Sequence, residues 1–150
     1  TAKESQEKVK LQLAALVTRA LHTIYPEELY HFTLKFVSER GQTSVYPTLI
    51  LDDNELDPLD NSGGMAEVVS FALRIALIAI GKKPKIMILD EPFTGVSAQR
   101  IPLVHDFIQQ MADDLHMQFI ITTHLSGLTE DASKSFHVVK EGMCSVVSTK

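Results

Sequence analysis

Asp90 and Glu91 stand side by side at the end of the apolar run Ile86-Met87-Ile88-Leu89, with Pro92 directly behind them. Four apolar residues in succession predict a strand buried on both faces, and open α/β sheets place their ligands at the C-terminal ends of such strands. Two adjacent carboxylates there suit a hydrated magnesium ion and a water to be activated beside a nucleotide's phosphates. Many sheet strands end in Asp, so the alternative for the pair is structural acids capping the sheet.

Two further segments sharpen the pattern. Gln118-Phe119-Ile120-Ile121-Thr122-Thr123 reads as a second buried strand ending at His124, and residues 98–115 read as the crossover helix between the two. In such a βαβ unit the strand ends are neighbours, which puts His124 beside Glu91. Upstream, Ser62-Gly63-Gly64 precedes a long apolar stretch, Met65 to Ile80, interrupted by Glu67, Ser70 and Arg74. Those three fall at i, i+3 and i+7 and form one polar stripe on an otherwise buried helix. Ser62 is placed to cap that helix, and the glycines let backbone N–H groups approach an anion closely. An ordinary capped core helix has the same appearance.

In order, Ser-Gly-Gly with its helix, the Ile-Leu-Asp-Glu-Pro strand, Thr94-Gly95-Val96-Ser97 and Thr-Thr-His124 resemble the C-terminal lobe of an ABC-type ATPase head. Among such heads the chain is most similar to the SbcC, RecN and SMC group of DNA-repair and chromosome-maintenance ATPases, SbcC-like above all. The resemblance runs over residues 60–150 by motif and over the first 30 residues by pattern. It implies an α/β fold: a mostly parallel sheet flanked by helices, with β-hairpins and an N-terminal helix that roots a coiled-coil arm. It also implies ATP and magnesium as cofactors. Asp90 is then the residue that holds magnesium through water, Glu91 polarises the attacking water, and His124 contacts the γ-phosphate. Asn61, Ser62, Gly63, Gly64 and Met65 make the signature loop, which binds the nucleotide held by a second head. Thr94 to Ser97 form the loop that reaches across to that head. A site split between two heads makes hydrolysis depend on their dimerisation.

Asn61 occupies a position where leucine is common in this group, Met65 one where glutamine or glutamate is common, and Ser97 one often held by aspartate. Met65 cannot offer the hydrogen bonds of an amide or carboxylate. No Gly-x-x-x-x-Gly-Lys-Ser/Thr segment occurs in the chain, and Gly81-Lys82 lacks the earlier glycine. In SbcC-like proteins that phosphate-cradling loop lies in an N-terminal lobe beyond a long coiled coil. The expectation is therefore half a head. Its partners are a P-loop lobe of the same protein, a second head in a homodimer, DNA and an SbcD-type nuclease, and the chain alone turns over little or no ATP. The alternatives are a RecN- or SMC-like ATPase without a nuclease, or a dimerisation module that no longer hydrolyses. A membrane-transporter ATPase subunit fits the apparent coiled-coil arm less well.

At 150 residues and 45% apolar composition the chain is long enough for one domain with a real core. Its net charge of −5 argues against a self-sufficient DNA-binding module. The basic cluster Lys82, Lys83 and Lys85 reads as a solvated turn. Cys144, the single cysteine, excludes an internal disulfide and suits a reducing cytoplasm; the resemblance implies a nucleoid-associated place within it. Met65 to Ile80 is short for a membrane span and carries Glu67 and Arg74. His22, His31, His105, His116 and His137 show no metal-ligand spacing.

The apolar spacing of Val9, Leu13, Leu16, Ala20 and Ile24 predicts an amphipathic helix over 2–24, ended by Pro26. Residues 1–25 are thus the expected arm root and 26–150 the lobe. Tyr30 to Ser38 and Ser44 to Leu51 predict a hairpin around Glu39-Arg40-Gly41-Gln42. The acidic run Asp52, Asp53, Glu55, Asp57 and Asp60 reads as an exposed lead into the signature loop. Residues 136–140 and 144–149 predict a C-terminal hairpin turning at Glu141-Gly142.

Overall fold

The computed structural model describes residues 2–60, 63–81, 84–130 and 132–149. In chain order the elements are α1 (Ala2–Ile24), β1 (His31–Glu39), β2 (Gln42–Leu51), β3 (Asn54–Leu56), α2 (Gly63–Ile80), β4 (Ile86–Asp90), α3 (Ile101–Leu115), β5 (Gln118–Thr122), β6 (Phe136–Glu141) and β7 (Cys144–Thr149). Among the described residues, parallel pairing is confined to β4–β5, in the register Asp90 to Thr122. The sheet β1-β2-β3 and the ribbon β6-β7 are antiparallel.

Leu13, Val17, Ala20, Leu21 and Ile24 fall on one face of α1 and are buried, against α2 and β1. Residues 3–9, by contrast, are all exposed, and Leu13 is the first buried position of the helix. The helix stops at Ile24 because Pro26 cannot donate to it, although the Tyr25 N–H still reaches the Leu21 carbonyl at 2.7 Å. On α2 the buried face carries Met65, Val68, Val69, Phe71, Ala72, Ile75 and Ala76. Ser70 and Arg74 lie on its exposed face, which the exposed Leu77 continues.

The β1–β2 hairpin closes on Arg40 and Gly41 at φ 48° and 81°, the left-handed pair that a two-residue turn needs to match strand twist. Asp52 and Asp53, at φ 48° and 62°, repeat that turn and fold Asn54–Leu56 back onto β2 as a third strand. The acidic segment is therefore partly sheet rather than a free lead. Aspartate tolerates the left-handed region better than most residues, because its short side chain bonds locally.

The two central strands are not buried on both faces. Met87 and Leu89 point into the core, but Ile86 is 47% exposed, Ile88 74% and Ile120 47%. The apolar run predicts a strand covered on two sides; here helices cover one side, and three isoleucines face outward. The ribbon β6–β7 is exposed along both strands.

Arg100, at the end of a short 3₁₀ turn (Ala98–Arg100), staples the lobe to the end of α1. Its guanidinium donates to the Ile24 carbonyl at 2.8 Å, pairs with the Glu27 carboxylate and lies over the Tyr25 ring at 4.2 Å. Burial raises the Tyr25 phenol, and burial together with Glu28 pushes Tyr30 up to about 12. The hydrogen bond from Arg100 holds the Glu27 carboxyl below its ordinary value. A carboxyl that titrates lower when folded stabilises the fold above the ordinary carboxylate range, and that stabilisation disappears as pH falls through the folded value. Arg100→Ala should cost about 1–2 kcal/mol at neutral pH through the lost carbonyl bond and ring contact. Glu27→Gln should flatten the loss of Tm below pH 4.5. Thermal unfolding of both variants across pH checks the pair; an unchanged acid limb in Glu27→Gln would contradict it.

Candidate functional site

The chemistry-bearing residues converge where β4 and β5 end. Asp90 is the last residue of β4 and is exposed; its Oδ1 accepts the Thr122 hydroxyl at 2.5 Å from the position directly opposite on β5. Glu91 follows with its N–H on the Thr122 carbonyl at 2.8 Å, so the chain is still tied to β5 as it leaves the strand. At Glu91 the backbone turns left-handed, φ 43°, which is uncommon for a residue with a long side chain. That turn aims the carboxylate at His124. Glu91 Oε2 accepts from the imidazole Nδ1 at 2.7 Å and from the His124 backbone N–H at 3.3 Å. Both side chains stay open to solvent, 44% exposed for Glu91 and 71% for His124. With Glu91 ionised, Nδ1 carries the proton and Nε2 is the ring nitrogen left to meet another group.

The donor set suits a magnesium ion held mostly by water and phosphate oxygens. Asp90 offers an exposed carboxylate with one oxygen already engaged by Thr122. No group of three or more His, Cys, Asp or Glu side chains converges as a metal cage among the described residues. Magnesium accepts such sparse protein ligation when nucleotide phosphates complete its shell.

The loop after Glu91 is held by α2. Phe93 adopts φ 68° and buries its ring to 2% exposure, edge-on to Phe71 of α2 at 5.0 Å. Val96 is buried as well, leaving Thr94, Gly95 and Ser97 exposed between and beside these anchors. Gly64 lies against this loop so closely that a Cβ there would meet the Gly95 carbonyl oxygen at 2.6 Å and Val96 Cα at 2.9 Å. The Gly95 N–H donates to both oxygens of Glu67, each at 3.2 Å.

Of the residues singled out in the sequence, Asp90, Glu91 and His124 come together, and Gly64 meets the Thr94–Ser97 loop. Gly63 opens α2. Asn61 and Ser62 lie outside the described residues, as do Lys82 and Lys83. Met65 packs its side chain into the core, 3% exposed, and presents none of it to a ligand. Ser97 is exposed and extended, φ −61° and ψ 144°, with no side-chain bond to the turn it precedes. Lys85 donates to the Leu115 carbonyl at 2.8 Å and so caps α3 instead of lying free in a turn. Thr122 and Glu67 join this arrangement without belonging to any of the motifs. Thr122 was legible as the residue in register with the acid at the end of the strand. Glu67 was legible only as a polar position on a helix.

No family model matches the chain. It is similar to the sulfate/thiosulfate import ATP-binding protein CysA of Burkholderia mallei, 31% identical over 67 residues that cover 45% of this chain and 18% of that protein. It is also similar to the glutamine transport ATP-binding protein GlnQ of Geobacillus stearothermophilus, 26% identical over 120 residues, 80% of this chain and 47% of that one. The chain thus spans less than half the length of these curated relatives. In three dimensions it matches an SMC ATPase structure concerned with ATP-driven dimerization and DNA-stimulated activation, with a TM-score of 0.75, 15% identity, and 99% and 89% of the two chains covered. It matches the Smc head domain of Pyrococcus furiosus, with an extended coiled coil and bound to the C-terminal domain of ScpA, at a TM-score of 0.73 and 16% identity over 92% of this chain and 34% of that one. The fold is that of the C-terminal portion of SMC and ABC-type ATPase heads.

The contact at Gly64 yields a direct expectation. Gly64→Ala forces a methyl group onto backbone that cannot give way cheaply, and should cost about 1–3 kcal/mol. Thermal unfolding measures the loss, and a Tm equal to that of the unsubstituted chain would show that the helix and loop separate freely.

Proposed function

We propose that this chain is the C-terminal ATPase lobe of an SbcC-like DNA-repair ATPase, acting on nucleoid DNA in the cytoplasm. In this reading it completes a magnesium- and ATP-dependent site only with an N-terminal P-loop lobe and a second head. The observation that carries it is the cluster of Asp90, Glu91 and His124 at one strand edge, with Gly64 packed on the Thr94–Ser97 loop beside it. Asp90 orients a hydrated cation, and magnesium bound with the nucleotide supplies charge neutralisation at the phosphates. Glu91 takes the proton side of a water aligned on the γ-phosphate, a task for a carboxylate that is accessible and already fixed in direction. His124, anchored through Nδ1, keeps Nε2 for a phosphate oxygen. The start of α2 at Gly63 and Gly64 offers backbone N–H groups to the nucleotide of the opposite head.

Two features support the partners. The outward face of Ile86, Ile88 and Ile120 is an apolar surface suited to a second lobe of the same head. The exposed N-terminal part of α1 is where a coiled-coil arm joins in this reading, with residues 1–25 its root. DNA and an SbcD-type nuclease are the further partners. A transporter ATP-binding subunit is the second reading, supported by curated relatives such as the sulfate/thiosulfate import and glutamine transport ATP-binding proteins. None of the described helices is long and apolar enough to cross a membrane, which suits either reading.

Pairing this chain with its P-loop lobe and measuring ATP turnover with and without DNA separates these readings. Turnover should rise with DNA, and Glu91→Gln should lower it by about 100-fold or more while ATP-dependent dimers persist. Turnover that ignores DNA would favour the transporter subunit. ATP-dependent dimers without turnover in the unsubstituted pair would favour a non-hydrolysing clamp.

A further inference from the structure

Among the described residues, the bond from the Gly95 N–H to Glu67 is the one polar contact by which a side chain of α2 holds the loop that follows the acid strand. We infer that Glu67 is a positioning residue, whose carboxylate fixes the Thr94–Ser97 loop to the helix that begins at Gly63, so that the two elements facing a second head move as one body. The inference deepens the proposed split-site reading and names a residue that the motifs do not contain.

The geometry argues for a lock rather than incidental packing. Gly95 is restrained on both of its flanking peptide units: its carbonyl oxygen faces Gly64, where a Cβ would stand 2.6 Å away, and its N–H meets both Glu67 oxygens at 3.2 Å. The N–H lies in the peptide plane before the Cα and the C=O in the plane after it, so the two contacts together limit rotation about both backbone bonds of a glycine that has no side chain to limit them. On either side the buried Phe93 and Val96 set the depth of the loop, and the Val96 N–H donates to the Phe93 carbonyl at 3.1 Å to close it as a turn; the Glu67 carboxylate joins that turn to α2. Phe93 and Glu91 both hold left-handed backbone, φ 68° and 43°, a conformation that persists only where surroundings over-determine it. A hydrogen bond donated to a charged acceptor is stronger than one to a neutral group, and here it holds a segment whose residues Thr94 and Ser97 are exposed. The spacing is economical. Glu67 lies three residues after Gly64, so both present to the same side of α2 and meet the same loop peptide from one helix turn. When the start of α2 shifts to meet a nucleotide on the opposite head, the loop must follow.

Two measurements on Glu67→Ala and Glu67→Gln test this. The first is hydrogen exchange of the Gly95 amide in the chain by itself, which needs no ATPase activity. Exchange at least tenfold faster in Glu67→Ala, with protection largely kept in Glu67→Gln because its amide oxygen still accepts, supports the lock. Unchanged exchange in Glu67→Ala overturns it. The second is turnover in the assembled heads. At least a tenfold fall in kcat for Glu67→Ala, with KM for ATP within about twofold and Glu67→Gln restoring most of the rate, supports the positioning role. An equal kcat in an active assembly overturns that role even where exchange has quickened. An unsubstituted assembly that neither dimerises on ATP nor turns it over counts against the split-site reading instead, and the exchange result then decides on the lock alone.

Discussion

Phe71 is the point on which the rest of the structure depends. Its ring, 4% exposed, meets Phe93 of the post-strand loop at 5.0 Å, Phe107 of α3 at 6.3 Å and Phe119 of β5 at 6.0 Å. One side chain of α2 therefore ties together the loop, the crossover helix and the second strand. Aromatic edge-to-face contacts add about 0.5–1.5 kcal/mol each beyond the area they bury. That cluster offsets the strain of a left-handed Phe93, and through Phe93 it fixes where the chain goes after Glu91. The acid pair and His124 meet because the strands are in register; the loop stays beside Gly64 because Phe71 holds it there.

From this follows a division of labour between rigid and open parts. The carboxylates and the imidazole sit on strand ends that backbone hydrogen bonds lock together, yet their side chains reach solvent. The exposed residues Thr94, Gly95 and Ser97, backed by the buried Gly64, form a second, neighbouring surface attached to the same core. Both surfaces lie open rather than in an enclosed cavity, as expected of a site that is finished by another body. The outward isoleucines of β4 and β5 have the same character: a sheet face with the composition of a core and the exposure of a surface.

Much of this was legible in the sequence, and for definable reasons. The strand run ending in Asp90, the helix after Gly64 and the βαβ order each have a strong period or a sharp boundary, so their elements and their convergence could be read directly. Three things could not. The third strand formed because Asp52 and Asp53 took a left-handed turn, and two aspartates in an acidic run resemble a loop more than a hairpin turn. The exposure of Ile86, Ile88 and Ile120 was hidden because an apolar run carries no mark of which face is covered within the chain itself. The bond from Gly95 to Glu67 depends on a tertiary approach of two segments 28 residues apart, which no local spacing announces.

In the proposed reading, this lobe supplies one part of a nucleotide site and holds ATP only once the P-loop lobe joins it. Titration calorimetry with Mg-ATP tests that most directly, first on this chain alone and then on the chain paired with its P-loop lobe. The account predicts no measurable binding alone and a saturable binding isotherm, with a Kd below about 1 mM, once the two are paired. Saturable binding of comparable affinity to this chain alone would contradict it.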